Sequence, residues 1–563
     1  MPDLASEEAA LGRWPRRLLH VPSLTSYEWQ AGNRYGNAVA PEYNAITYTW
    51  GRWRLKDEPS YERPEITALP ITGIAWPIPR VKPEHFTPEQ LQRVLRNAAS
   101  FRPNHIDFRR RKSVDFVWLD VACIDQRASE PRSAAEIGRQ AAIFREAQNV
   151  CVWFTTLEKE IIARTVTSLV DFSESMALHG SRNETAIVED VLRFLSDPWF
   201  SSLWTLQEAF LRVDAFILDK EGELVEYPAC TERWGNPALL DVLDSACRWS
   251  AISTEERSVW SAQGLYSRVS QLVEERGFKA LASFNAMSTY VAALRRMTTE
   301  PEDRIYGIQQ IFEFRLGKSA LDAKPGHNYS LAELEDQLGE ALIIRYPILS
   351  QFHVFTKQTS PGKRWRMNSS SVIPPGAGDQ GYPLWESAEV DQPRCSFSIE
   401  HSAHTKFVQW SGPITPLCEL IKTCKSVIEN FEICERLGAD NMMFIYLDAA
   451  EELAGSPECQ VLDYHLPQTP RQKQLREWMI GQFRQEELQV LLLGPSSTKS
   501  CSYKLGVVML HREHGEWARL GICSWETITD FDLPLSDKLL PKLEFLVGDG
   551  LGWKRGEGIY GYL

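Results

Sequence analysis

The chain is short of cysteine, of long apolar runs and of positive charge, and each shortage removes a class of protein. Eleven cysteines in 563 residues, an odd number with no Cys-x-x-Cys pair, do not make a disulfide framework and read as reduced thiols. Cys418, Cys424 and Cys434 follow a helical pattern, and His401, His404, His511 and His514 have no thiol nearby in sequence, so no zinc site is expected. No segment supplies the roughly 18 uninterrupted apolar residues that a membrane span needs, and residues 1–10 lack the basic start and apolar core of a signal peptide. A soluble, cytoplasmic protein without a membrane span is the expectation. The net charge of −14 and a pI near 5.4 argue against nucleic acid as a partner, because phosphate binding needs clustered Lys and Arg. The one basic run, Arg109-Arg110-Arg111-Lys112, reads as a solvated turn.

Complete phosphate-binding loops are missing too. Gly556-Glu557-Gly558-Ile559-Tyr560-Gly561 matches the dinucleotide fingerprint by letter, but only Tyr562 and Leu563 follow it in this sequence, too few for the helix that would hold a pyrophosphate; it reads as a turn-rich tail. Gly494-Pro495-Ser496-Ser497-Thr498-Lys499-Ser500 lacks the second glycine of a P-loop and reads as a hairpin loop.

What is present is ample apolar material, 43% of residues, enough for the cores of three or four domains. Over the first two hundred residues strand and helix signals alternate. Tyr43 to Gly51 is β-branched and aromatic and predicts a strand. Thr87-Pro88-Glu89-Gln90 combines an N-cap, a first-turn proline and a capping-box Gln, which predicts a helix over about 88–100. Val114 to Val121 reads as a buried strand with Asp120 near its carboxyl end, Ser133 to Gln148 as a helix, and Val150 to Phe154 as the next buried strand, a β-α-β crossover. A helix at Glu184 to Leu195 and a strand at Ala215 to Leu218 continue the alternation. The fold class that follows is α/β, a mostly parallel sheet with flanking helices, with ligands expected beyond the carboxyl ends of strands, in the loops after Trp50 and Asp120. Residues 216–350 read as a helical annex, 351–395 as a Ser, Pro and Gly-rich linker, and 396–563 as a C-terminal α+β domain with strands near 406–410, 442–447, 488–493, 505–510 and 517–523.

The most informative stretch is Asp197 to Leu211. Asp197 is a good N-cap and Pro198 suits the first helical position, so one amphipathic helix is predicted. Phe200, Leu203, Trp204, Leu206, Phe210 and Leu211 fall on one arc, interrupted by Gln207 and, beside Trp204, Glu208. A buried amide needs partners, and a carboxylate against indole is pushed toward its protonated form. The structural alternative has Gln207 bonding to backbone and Glu208 reaching solvent.

Four blocks, Tyr43 to Gly51, Val117 to Gln126, Ile137 to Phe154 and Trp199 to Glu208, resemble in order and spacing the fungal heterokaryon-incompatibility (HET) domain, over about residues 17–215. Arg296 to Gln309 also looks like a segment that commonly follows in such proteins. The resemblance implies a role in fungal allorecognition, with programmed death of fused cells, through allelic or homotypic protein partners and homo-oligomers on activation. HET domains are in turn distantly similar to TIR domains, which implies a TIR-like, flavodoxin-like sheet and NAD as a substrate rather than a cofactor. By that likeness Glu208 is the catalytic carboxylate of an NAD glycohydrolase, with Gln207 beside it, Asp120 orienting ribose, and Tyr48 and Trp50 as stacking faces. The alternative function is a non-enzymatic interaction scaffold in which Gln207 and Glu208 are structural. For Asp120 the alternative is capping its own loop, and Cys123, with no histidine in its block, reads as a packed thiol.

Overall fold

A computed structural model describes residues 4–49, 66–78, 80–100, 113–125, 127, 131–175, 184–225, 238–250, 263–278, 281, 286–324, 326–347, 349–357, 359, 363–373, 393–401, 406–428, 443–448, 461–463, 487–497, 502–512, 516–527, 540–548 and 550–560. Trp50, the run Arg109 to Lys112 and Gly561 lie outside the described residues. The chain divides into two units, Met1–Ala282 with Ala292–Leu331, and Ser283–Val291 with Ala332–Leu563.

The first unit is built on β1 (Arg17–His20), β2 (Thr25–Gln30), β3 (Arg34–Tyr35), β4 (Ala38–Val39), β5 (Tyr43–Thr47), β6 (Phe116–Trp118), β7 (Val150–Trp153) and β8 (Phe216–Leu218), hydrogen-bonded in the order β4-β3-β2-β1-β6-β5-β7-β8. The four strands β6-β5-β7-β8 are parallel, and β1 to β4 extend them as an antiparallel meander. Counted from β5, the parallel order is 2-1-3-4, the flavodoxin-like order, whose switch point lies where β5 meets β7. The parallel strands are mostly apolar and buried, with Asn44 and Thr47 of β5 as buried polar residues. The helix Pro88–Ala99 between β5 and β6 forms as its capping box predicts: Gln90 N donates to Thr87 Oγ1, and Thr87 N to Gln90 Oε1. Trp118 packs edge-on against Phe144 at 5.4 Å, and Phe154 against Trp199 at 5.8 Å.

Two predicted helices are each divided. Ser133 to Gln148 forms Pro131–Ile137 and Gln140–Glu146, parted at Gly138, where an added Cβ would stand 3.2 Å from Ser319 Cβ, and at Arg139, whose guanidinium donates to the carbonyls of Gly12 and Trp14. Asp197 to Leu211 forms Pro198–Ser201, capped by Asp197 accepting from Trp199 N, and Trp204–Leu211. The break is made by a distant segment: Met297 N donates to Ser201 O and Leu203 N to Met297 O, while the buried Arg296 donates to Ser202 O.

The second unit holds β9 (Val354–Phe355) paired with β10 (Ser371–Val372), and a larger sheet of β11 (Ser396–His401), β12 (Lys406–Pro416), β13 (Met443–Leu447), β14 (Val461–Asp463), β15 (Leu488–Ser497), β16 (Ser502–His511), β17 (Glu516–Thr527) and β18 (Lys554–Tyr560). β18 pairs antiparallel with β12 and parallel with β17, so β12-β15-β16-β17-β18 close into a five-stranded ring, with β11 beside β12 and β13-β14 beside β17. Alternate residues feed two cores: Val490, Leu492 and Val508 join the helices Leu417–Ile428 and Leu540–Val547, whereas Leu491, Leu493 and Val507 join Trp410 and Trp517. Of the expected turn-rich tail, residues up to Tyr560 instead form strand β18, and Gly556 is a packing residue there: a Cβ on it would meet Ile414 Cδ1 at 2.6 Å. The Gly494 segment belongs to a hairpin as expected, although Gly494 to Ser497 extend β15 itself.

Candidate functional site

The carboxyl ends of β5 and β7 carry a buried polar cluster. β5 ends at Thr47, whose buried hydroxyl accepts a 2.9 Å hydrogen bond from Trp199 Nε1 and donates to Glu208 Oε2. Glu208 reaches this point because the helix Trp204–Leu211 is packed on both faces, with Thr205 to Phe210 all buried. Glu208 is 9 % exposed, and among the described residues Thr47 is its one hydrogen-bond partner and no cation pairs with it. Burial pushes the Glu208 pKa up to about 8, the Thr47 hydroxyl opposes the shift, and the charge of Asp120 adds to it. At neutral pH the group is therefore mostly protonated.

Asp120, at the end of the segment that follows β6, opens the short helix Asp120–Cys123 and accepts from Val121 N at 2.6 Å, the backbone-capping arrangement weighed from the sequence. It also acts on the site, raising the pKa of both Glu208 and Tyr48. The Tyr48 ring stacks on Trp153, with centroids 5.4 Å apart, and meets Phe86 edge-on. Its buried hydroxyl has no hydrogen-bond partner of normal geometry among the described residues, although Asp120 is close enough to raise its pKa along with burial. Glu208, Asp120 and Tyr48 thus share one neighbourhood.

Gln207 faces elsewhere. Fully buried, it donates to Gln140 Oε1 at 3.0 Å and accepts from Gln310 N at 3.2 Å, so both ends of the amide are engaged in packing helix against loop. The indole near Glu208 is that of Trp199, through Thr47; Trp204 acts on Asp303. Sequence reasoning missed Thr47 and His85, whose ring Nε2 lies 3.0 Å from Thr49 O beyond the end of β5. A strand-terminal threonine carries no signal of its own until the sheet order is known.

Other candidates are ordinary by contrast. Glu136, also fully buried with a raised pKa, accepts from Arg16 N at 2.8 Å and has Arg139 and Arg16 as compensating charges. Burial pushes the Cys123 thiol up to about 12, so it is no nucleophile. Arg304, a cation that could have covered Glu208, instead donates to the carbonyls of Ala293 and Arg296. Among the described residues no three His, Cys, Asp or Glu side chains gather as metal ligands, and no helix is long and apolar enough to cross a membrane.

The family model for the heterokaryon incompatibility protein (HET) matches residues 43–208. The match runs from the first residue of β5 to Glu208 and so spans the parallel strands β5, β6 and β7 together with the whole cluster around Thr47. No curated protein and no solved structure matches the chain significantly. Residues 43–208 of the chain thus carry a match to the HET domain, and that match supports a role related to heterokaryon incompatibility.

Proposed function

We propose that this protein is a fungal allorecognition effector whose HET domain triggers cell death by cleaving NAD at the bond between ribose and nicotinamide, with Glu208 as the catalytic carboxyl. One observation carries the reading: a nearly buried carboxyl without a cation, one oxygen held by Thr47 and the other unpartnered among the described residues, at the switch point of a 2-1-3-4 parallel sheet. Such a group is poised for a cationic ligand. The nicotinamide ring of NAD is a pyridinium; on departure it takes the electron pair of the C–N bond and leaves neutral, and positive charge passes to the ribosyl centre. Glu208 in its ionised form stabilises that oxocarbenium and then accepts a proton from the water that adds to it. Asp120 contributes negative potential at the same place, and Tyr48 an aromatic wall fixed on Trp153.

Incubating the purified full chain with NAD and measuring free nicotinamide tests the reading. Glu208→Gln should lower turnover at least about 100-fold while leaving the thermal unfolding temperature near pH 4.5 close to that of the parent. Because the ionised form is the active one, kcat/KM should rise with pH and level off above about 8. Absence of nicotinamide release at every protein concentration, including assembled states, would instead favour the interaction scaffold, a reading that the fully engaged Gln207 amide suits.

A further inference from the structure

We propose that the second unit carries an anion site of its own, for a small molecule bearing a diphosphate and about the size of a nucleoside diphosphate. A cavity of about 560 Å³ opens where β11, β12 and the start of β18 meet. That volume lies within the roughly 300–1,000 Å³ typical of small-molecule sites. Arg394, Lys554 and Arg555 line it, with Ser396, Ser411 and Trp553, and no carboxylate is among its described lining residues. In a chain of 75 acidic and 61 basic residues, that composition runs against the background.

Charge is unbalanced there as well as concentrated. Two buried arginines of the same unit find acids: Arg366 donates to Glu335 and Asp336, and Arg519 to Asp448. Lys554 and Arg555 are exposed and make no ion pair or side-chain hydrogen bond among the described residues, and both stand on a strand fixed by its pairing with Ile414 and Pro413. Arg394 is steadied at the rim by donating to Gly548 O at 3.3 Å. Lys554 and Arg555 bring two positive charges to the cavity without a counter-charge among the described residues, and a multiply charged anion complements them. Arg supplies a planar fork suited to phosphate oxygens and Lys a point charge. Trp553 is held by its own Nε1 hydrogen bond to Phe545 O at 2.7 Å and by packing on Trp525, which makes it a rigid wall for a planar group. The basic cavity and the Glu208 cluster involve separate residues, and the proposal does not depend on NAD cleavage.

The test is calorimetric titration of the full chain, carrying Glu208→Ala so that the first unit's candidate site is altered, with ADP and separately with sodium pyrophosphate. ADP should bind, more weakly as salt rises, and the double variant Lys554→Glu/Arg555→Glu should weaken it at least about 30-fold. If that double variant unfolds at a lower temperature, Lys554→Gln/Arg555→Gln takes its place. Trp553→Leu should weaken ADP more than pyrophosphate. No binding of either ligand up to about 1 mM, or parental affinity in a folded double variant, would overturn the proposal.

Discussion

Two buried carboxylates, one in each unit, share their chemistry and differ in everything around them. Asp448 in the second unit accepts from Arg519 Nε at 3.2 Å and from Phe355 N at 3.1 Å, while Arg519, itself fully buried, also donates to His353 O. Glu208 in the first unit has a threonine hydroxyl, a negative neighbour and no cation. The first arrangement neutralises its charge internally and has nothing to offer a ligand; the second leaves a carboxyl to hold a proton until something positive arrives. Burial alone therefore does not mark a candidate site; the missing counter-ion does.

The largest expected effect comes from breaking the compensated pair. Arg519→Met strands Asp448 without its cation and should cost about 3–5 kcal/mol in chemical unfolding, with Arg519→Met/Asp448→Asn recovering part of it. A loss below about 1 kcal/mol would mean that the two environments are not opposites.

The second prediction concerns Glu208 itself and follows from linkage. Its folded pKa of about 8 lies above the ordinary value of 4.5, so the folded state binds the extra proton and loses stability as pH rises from about 4.5 to 8. Glu208→Gln, which keeps an acceptor for Thr47 and carries no charge, should match the parent near pH 4.5 and become the more stable protein above pH 8. The linkage ceiling is about 5 kcal/mol, and a carboxyl with some residual exposure should realise on the order of 2. Parallel stability curves across that pH range would contradict the assignment.

The smallest effect is a control on how the site is carried. Asp197 caps the helix that presents Trp199, accepting from Trp199 N at 2.9 Å and from Thr156 Oγ1. Asp197→Ala should cost about 1–2 kcal/mol in thermal unfolding without moving the Glu208 titration; a shifted titration would couple the cap to the site.

What could be read from sequence divides along the same line. Local chemistry was legible: the Thr87 capping box, the Asp197 cap, the buried strands around Val117 and Val152, and the HET blocks that end at Glu208 all have short-range signatures. Long-range events were not. Met297 interrupting the helix after Ser201, Gln140 and Gln310 engaging Gln207, and Gly556 pressed against Ile414 are imposed by segments remote in sequence, which periodicity cannot see. The grouping of Glu208 with Asp120 and Tyr48 depended on strand order, which brings the ends of β5 and β6 side by side.

The most direct test is the protonation state of Glu208, measured by difference infrared spectroscopy of the full chain against Glu208→Gln across pH 4 to 10. A protonated-carboxyl band that persists through neutrality and disappears with a midpoint near pH 8 is the predicted result. A band lost near the ordinary value of 4.5 would show an ion already compensated, and the contrast with Asp448 would fail.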